Sequence, residues 1–234
     1  MAYTAILRLL DSIDEFRETL ANSKGEVKGE LSLWLIDHCT FTPSNPIACA
    51  LQSFCTRYPL VNLSIGVAPP DAVERAVAEK KAGVGVTICK SDLPSLTYHV
   101  IGSEASALYC GRNNEAFGKD EENARPIVEQ TAQYVRRGYL VHDAAPTSFL
   151  QNSCALAHHV EGTVQLLLSG GFVGIVPDHI AQPWVDCGAL WRLPLPEFMV
   201  ERPVFVVTRE SQGATRTATL MQQAIMDAFR RTPP

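Results

Sequence analysis

The sequence predicts an α/β fold built on a parallel sheet, and three observations carry that prediction. From residue 31 onward, short apolar runs alternate with segments of helical spacing, the order that lays parallel strands side by side through right-handed helical crossovers. The run over 84–88 is too apolar to be an edge strand. Of 234 residues, 46% are hydrophobic and 19% charged, so a large core can be buried and wholesale disorder is excluded.

The elements follow in order. Ala2, Ile6, Leu9, Ile13, Phe16 and Leu20 fall at steps of 4, 3, 4, 3 and 4, the narrow seam of a helix that supercoils on a partner. An ordinary amphipathic helix packed on its own domain is the alternative. Residues 21–29, with Asn22, Ser23, Gly25 and Gly29, read as a linker. A buried strand is expected over 31–36, then a polar loop over 40–46. A helix carries Ile47, Leu51, Phe54, Cys55 and Tyr58, and Pro59 ends it. A strand over 61–67 follows, then a Pro69–Pro70 turn and a helix that Asp71 caps, with Glu74 three residues on. After the strand over 84–88, two strands are expected over 98–101 and 105–110. The polar loop over 111–123 is the expected crossing between subdomains. Further on, the spacing predicts a helix over 127–137, a strand over 139–142, a polar loop over 146–152 and helical segments over 153–159 and 163–168. Gly170 and Gly171 close the last of these. Strands over 173–176, 190–195 and 204–208 surround one or two helical turns over 180–185, and a helix over 217–229 ends the chain.

Charge and composition exclude several classes. A net charge of −5 and a pI of about 5.7 do not suit a chain that grips nucleic acid by itself. No apolar run reaches the roughly 20 residues that span a bilayer. Arg8, Asp11, Asp14 and Glu15 interrupt the N-terminal apolar residues, so no signal peptide is read there. A cytoplasmic protein is expected. The seven cysteines, Cys39, Cys49, Cys55, Cys89, Cys110, Cys154 and Cys187, show no C-x-x-C pair. Buried free thiols are the first reading, and a redox-sensing pair is the alternative.

Several segments, in order and at matching separations, resemble the LysR-type transcriptional regulators. A coiled-coil-like helix leads into G-E-L-S-L over 29–33. Phe54 with Tyr58 and Pro59 is similar to the family's F-x-x-x-Y-P, and 72–88 looks like its helix and third strand. The most specific piece, L-L-L-S-G-G-F-V-G-I-V-P over 166–177, is similar to V-x-x-G-x-G-I-x-x-L-P. Gly188, Ala189 and Leu190 with Pro194 match G-x-L-x-x-L-P. Together these span essentially the whole chain. Two departures stand out: Lys80, Lys81, Ala82 and Gly83 occupy the family's G-x-L-D stretch, and Phe172 stands where G-x-G-I has glycine.

The resemblance implies two Rossmann-like subdomains joined by two crossover strands, similar to type 2 periplasmic binding proteins. It divides the chain into a linker helix and connector over 1–29, subdomain I over 30–111 plus 203–234, and subdomain II over 112–202. It implies an effector-binding domain that forms homodimers or homotetramers. DNA would be reached only through an N-terminal winged helix-turn-helix that this sequence does not include.

In such sheets ligands lie beyond the C-terminal ends of the strands, at helix N-termini. Three loops qualify. Thr40, Thr42, Ser44 and Asn45 offer hydroxyls, an amide and backbone N–H groups, which favour the carboxylate of an organic acid. Ala68, Pro69 and Pro70 offer shape more than hydrogen bonds. Thr147, Ser148, Phe149 and Asn152 would face the first loop across the gap, and Phe172 would modify ligand access or fill core. For each Ser, Thr or Asn the competing role is a plain helix cap.

Catalytic and metal chemistry find little support. His158 and His159 are adjacent and diverge by about 100° on a helix, so they do not chelate. Asp37, His38 and Ser44 lack a G-x-S-x-G elbow. Neither G-x-G-x-x-G nor a P-loop occurs. No catalytic residue, metal or cofactor is expected. The alternatives to effector sensing are a thiol-based redox sensor and a solute-binding or enzymatic relative of the same fold.

Overall fold

The computed structural model describes residues 26–37, 45–130, 132–138, 155–210 and 214–231. The expected linker helix, most of the loop over 40–46, the strand over 139–142 and the loop over 146–152 lie outside the described residues.

The elements are β1 (Lys28–Leu35), α1 (Pro46–Arg57), β2 (Leu60–Val67), α2 (Pro70–Ala78), β3 (Val84–Thr87), β4 (Leu96–Gly111), α3 (Glu121–Gln130), β5 (Gln133–Arg137) and β6 (Ala155–Ala157). Then come α4 (Val160–Leu168), β7 (Phe172–Pro177), α5 (Asp178–Asp186), β8 (Leu190–Arg192), a 3-10 turn (Pro196–Phe198), β9 (Val200–Arg209) and α6 (Arg216–Arg231). They form a nine-stranded sheet in the order β2-β1-β3-β9-β4-β7-β5-β6, with β8 also on β4. Strand β1 is parallel to β2 and β3, and β5 is parallel to β6 and β7. Among the described residues each antiparallel pair contains β4 or β9: β3 with β9, and β4 with β7, β8 and β9.

Local sequence explains most of these elements. Alternate residues Leu31, Leu33 and Leu35 of β1 are buried, the period of two that a strand imposes. They meet Phe54 of α1 and Met221 and Ile225 of α6 in one cluster. Asn45 caps α1 by accepting the Ala48 N–H at 3.1 Å, and Pro46 follows at the first turn, where a missing N–H costs nothing. At the end of α4, Gly170 has φ +89° and donates its N–H to the Leu167 carbonyl at 2.9 Å.

Strand β4 is the spine of the molecule. Its 16 residues pair with β9 from Leu96 to Ser106, past an irregularity between Val100 and Gly102, then with β7 from Ser106 and with β8 from Tyr109. One lobe carries β1, β2 and β3, and the other carries β5, β6, β7 and β8. The chain passes between the lobes inside β4 and returns inside β9. The expected crossing loop over 111–123 therefore lies past the changeover, and a β-strand rather than a flexible loop makes the passage. In the second lobe the strand period divides two apolar layers. Leu108 and Cys110 pack with Tyr134, Ile175, Leu193, Leu195 and Phe198, while Ala107 and Tyr109 pack with Val160, Leu167, Val176 and Leu190.

Three local expectations are corrected. The helix expected over 127–137 ends at Gln130, and 133–137 is β5, whose Tyr134 and Val135 are buried. The segment expected to be helical over 153–159 holds β6 at Ala155–Ala157, paired in parallel with β5. Helix α2 begins at Pro70, so Asp71 lies inside its first turn and pairs with Arg75 at 3.0 Å instead of capping. Glu74 turns inward: its Oε1 accepts the Ser91 N–H at 3.0 Å and the Tyr98 hydroxyl at 2.6 Å.

The Glu74 network has a pH signature. Burial, then the hydrogen bond to Glu74, pushes the Tyr98 hydroxyl up to about 12. The folded state thus holds this proton more tightly than the unfolded chain, whose tyrosine titrates near 10. The stabilisation is whole below about pH 10 and disappears as pH rises through about 12. Alkaline titration of phenolate absorbance is expected to lose a component near pH 12 in Tyr98→Phe. An unchanged profile would refute this assignment.

Candidate functional site

The C-terminal ends of the parallel strands converge on one region. In the first lobe β1 runs into Ile36 and Asp37, β2 into Ala68 and Pro69, and β3 into Ile88 and Cys89. Backbone bonds hold these ends level: the Ile36 N–H donates to the Val86 carbonyl at 3.2 Å and the Ala68 N–H to the Leu35 carbonyl at 3.0 Å. Ile36, Ala68, Val73 and Ile88 form an apolar floor beneath them.

The second lobe meets this region through the segment after β6. His159 precedes α4 with an extended backbone (φ −136°, ψ 153°). The Val160 N–H donates to Asp37 Oδ2 at 2.7 Å, and His159 Nδ1 lies 3.4 Å from the same oxygen. Asp37 is buried. The strand ends of the two lobes therefore face each other, with the end of β1 against the N-terminus of α4.

The sequence-derived candidates divide unequally. Ala68, Pro69 and Pro70 sit at the end of β2, with Pro69 as the N-cap of α2 and Ala68 in the apolar floor. Asn45 lies before α1 and acts as its cap, the competing role considered above. Thr40, Thr42, Ser44, Thr147, Ser148, Phe149 and Asn152 lie outside the described residues. Phe172 opens β7, paired with Gln133 and packed on the Tyr109–Leu167 layer. It stands five residues before Pro177, roughly 17 Å along the strand from the ligand-facing end, so the strand does not bring it to the other groups. In the sequence Asp37 stands out only beside His38 and Ser44, as part of a triad that lacks its elbow. Its contact with Val160, 123 positions away, has no local sequence signal.

Among the described residues no group of three or more His, Cys, Asp or Glu is placed to hold a metal ion. Cys39 and Cys154 lie outside those residues. Of the remaining five cysteines only Cys110 is buried; Cys49, Cys55 and Cys187 are exposed and Cys89 is half-buried. The expectation of buried thiols thus holds for Cys110, whose thiol burial pushes up to about 12. The thiolate is the reactive form. Titration with a thiol-disulfide reagent is expected to modify Cys49, Cys55 and Cys187 in native protein and Cys110 only after unfolding. Native modification of Cys110 would contradict its placement.

A mixed sheet in two lobes, joined by paired antiparallel crossover strands and facing through its parallel strand ends, is the architecture of a two-lobed ligand-sensing domain, related to type 2 periplasmic binding proteins. Residues 24–230 match the LysR substrate binding domain, and the chain belongs to that family. It is 28% identical over 211 residues to the HTH-type transcriptional activator BauR of Pseudomonas aeruginosa, covering 90% of this chain and 69% of BauR. The regulatory domain of CcmR from Synechocystis PCC6803, solved in complex with 2-PG, superposes with a TM-score of 0.68 at 15% identity, covering 88% of this chain and 100% of that one. The effector binding domain of QuiR in complex with shikimate gives 0.66 at 9% identity, covering 88% and 99%. The chain is an effector-binding domain of a LysR-type transcriptional regulator. Among the described residues no helix is long and apolar enough to cross a membrane.

Proposed function

We propose that this domain binds a small organic acid between its lobes and performs no catalysis. The subdomains we assign run over 30–111 plus 203–234 and over 112–202, a division supported by β4 and β9 pairing along the passage between them. The ligand-contacting residues we assign from the sequence are Thr40, Thr42, Ser44, Thr147, Ser148, Phe149 and Asn152, together with Ala68, Pro69 and Pro70 at the end of β2. Asn45, which also caps α1, and Phe172, partly buried at the start of β7, complete the assigned set. One observation carries the reading: Asp37 at the end of β1 bonds the first amide of α4, which brings the end of β1 in one lobe against the start of α4 in the other. The molecules bound in the CcmR and QuiR domain complexes, 2-PG and shikimate, support a small-metabolite class.

The effector acts through its differential affinity for two lobe arrangements. The bias passes through a linker helix to an N-terminal DNA-binding domain, in a cytoplasmic homodimer or homotetramer. A thermal-shift panel of carboxylate metabolites tests this. An acid at 100 times its Kd adds about 2.7 kcal/mol, which raises Tm by about 5–10 °C in a chain of this size. Thr40→Ala and Thr147→Ala are expected to reduce the shift. A panel in which no acid moves Tm overturns the proposal.

A further inference from the structure

Helix α4 has no cap of its own. His159 stands at its N-cap position and makes no side-chain capping bond. The N–H of Val160, the first helical residue, instead donates at 2.7 Å to Asp37, a carboxylate from the other lobe whose side chain is 3% exposed. Two effects strengthen the contact. A carboxylate at a helix N-terminus is favoured by the aligned peptide dipoles, and the bond is charge-assisted and shielded from water. His159 Nδ1, 3.4 Å from the same oxygen, adds attraction when protonated.

A local cap is indifferent to how two lobes sit, because cap and helix move together. A cap supplied from the opposite lobe behaves differently. Opening the lobes pulls Asp37 away from the amide, so the bond exists only in the closed arrangement. We propose that Asp37 is a latch that holds the two lobes closed without a ligand and so sets the fraction of molecules in the open arrangement. An effector that enters only the open form then binds with an affinity reduced by that fraction. The latch rests on the two-lobed reading above but not on the identity of the effector.

The latch can be tested with the ligand-free chain. Asp37→Ala is expected to lower Tm by about 3–10 °C, the range for a lost charged hydrogen bond in a chain of this size. It is also expected to raise the radius of gyration measured by small-angle X-ray scattering. Sodium formate supplies the missing carboxylate and is expected to restore both in Asp37→Ala, leaving wild type unchanged, whereas sodium chloride at equal ionic strength restores neither. Val160→Pro removes the donor from the other side. Proline is tolerated at a first helical position, and the extended backbone of His159 suits the residue before a proline. Adding it to Asp37→Ala is expected to cause no further opening, because the amide it removes has already lost its carboxylate. If Asp37→Ala does not fold, Asp37→Asn keeps size and one acceptor oxygen and is expected to open partially. An unchanged radius in every variant, additive opening in the double variant, or equal responses to formate and chloride overturns the latch. No effector enters these measurements, so their failure leaves ligand sensing standing, and a chain that ignores every organic acid leaves the latch standing.

Discussion

Gly111→Ala is expected to destabilise the domain by about 4 kcal/mol or more, a large share of the total stability of a typical fold. A Cβ at this position would lie 1.9 Å from the Leu167 carbonyl oxygen and 2.9 Å from its carbon. Both obstacles are backbone, and neither side can yield. Gly111 is held opposite Leu190 in the sheet, and its carbonyl accepts the Asn114 N–H at 2.9 Å. The obstructing Leu167 carbonyl is the one that accepts the Gly170 N–H as α4 ends. Relief of the clash must move β4 or unwind the end of α4. Gly171→Ala is the control, since a Cβ there meets nothing within 4 Å, and its cost is expected within about 0.5 kcal/mol of zero. Soluble yield and urea midpoints decide the matter, and similar midpoints for the two variants would refute the close approach.

The same backbone contact shows what a sequence reveals and what it hides. The strand and helix patterns in the first lobe were legible because one periodicity decided each element. Leu31, Leu33 and Leu35 alternate, and Pro59 stops α1 whatever lies around it. The hinge was partly legible. Two strands over 98–101 and 105–110 are expected from the sequence where one irregular strand runs through, since a glycine such as Gly102 marks a bulge as readily as a break. The segment over 127–137 misled because its apolar residues suit a helix, while Tyr134 and Val135 are buried on the two sides of β5 by layers that lie far along the chain. Glu74 matched a capping box, but its partners Ser91 and Tyr98 lie 17 and 24 positions away. Of the site, the strand ends were legible as a general rule of parallel sheets, and Asp37 as part of a discarded triad only. Its contact with Val160 depends on how the lobes are placed, and no local pattern encodes that.

Phe198→Ala is expected to cost about 3–5 kcal/mol, the range for removing a fully buried aromatic ring, and to loosen one lobe before the other. Phe198 is 0% exposed and lies in the 3-10 turn that delivers the chain into β9. Its layer contains Val128, Tyr134, Ile175, Leu193 and Leu195, all from the second lobe. The first-lobe cluster around Leu33, Phe54, Met221 and Ile225 shares no residue with it. Apolar stabilisation is confined to groups in contact, so a cavity in one layer takes nothing directly from the other. The loss is transmitted through β4 and β9, which in the first lobe are pinned by β3 and by each other, and through the single Asp37–Val160 bond. Hydrogen exchange in Phe198→Ala is therefore expected to accelerate in α3, β5 and β7 while β1, β3 and α1 stay protected. Phe54→Ala is expected to reverse the pattern. Equal loss of protection in both lobes from either substitution would mean that they unfold as one cooperative unit. Lobe motion would then be rigid-body movement only, and local loosening of one lobe could not contribute to signalling.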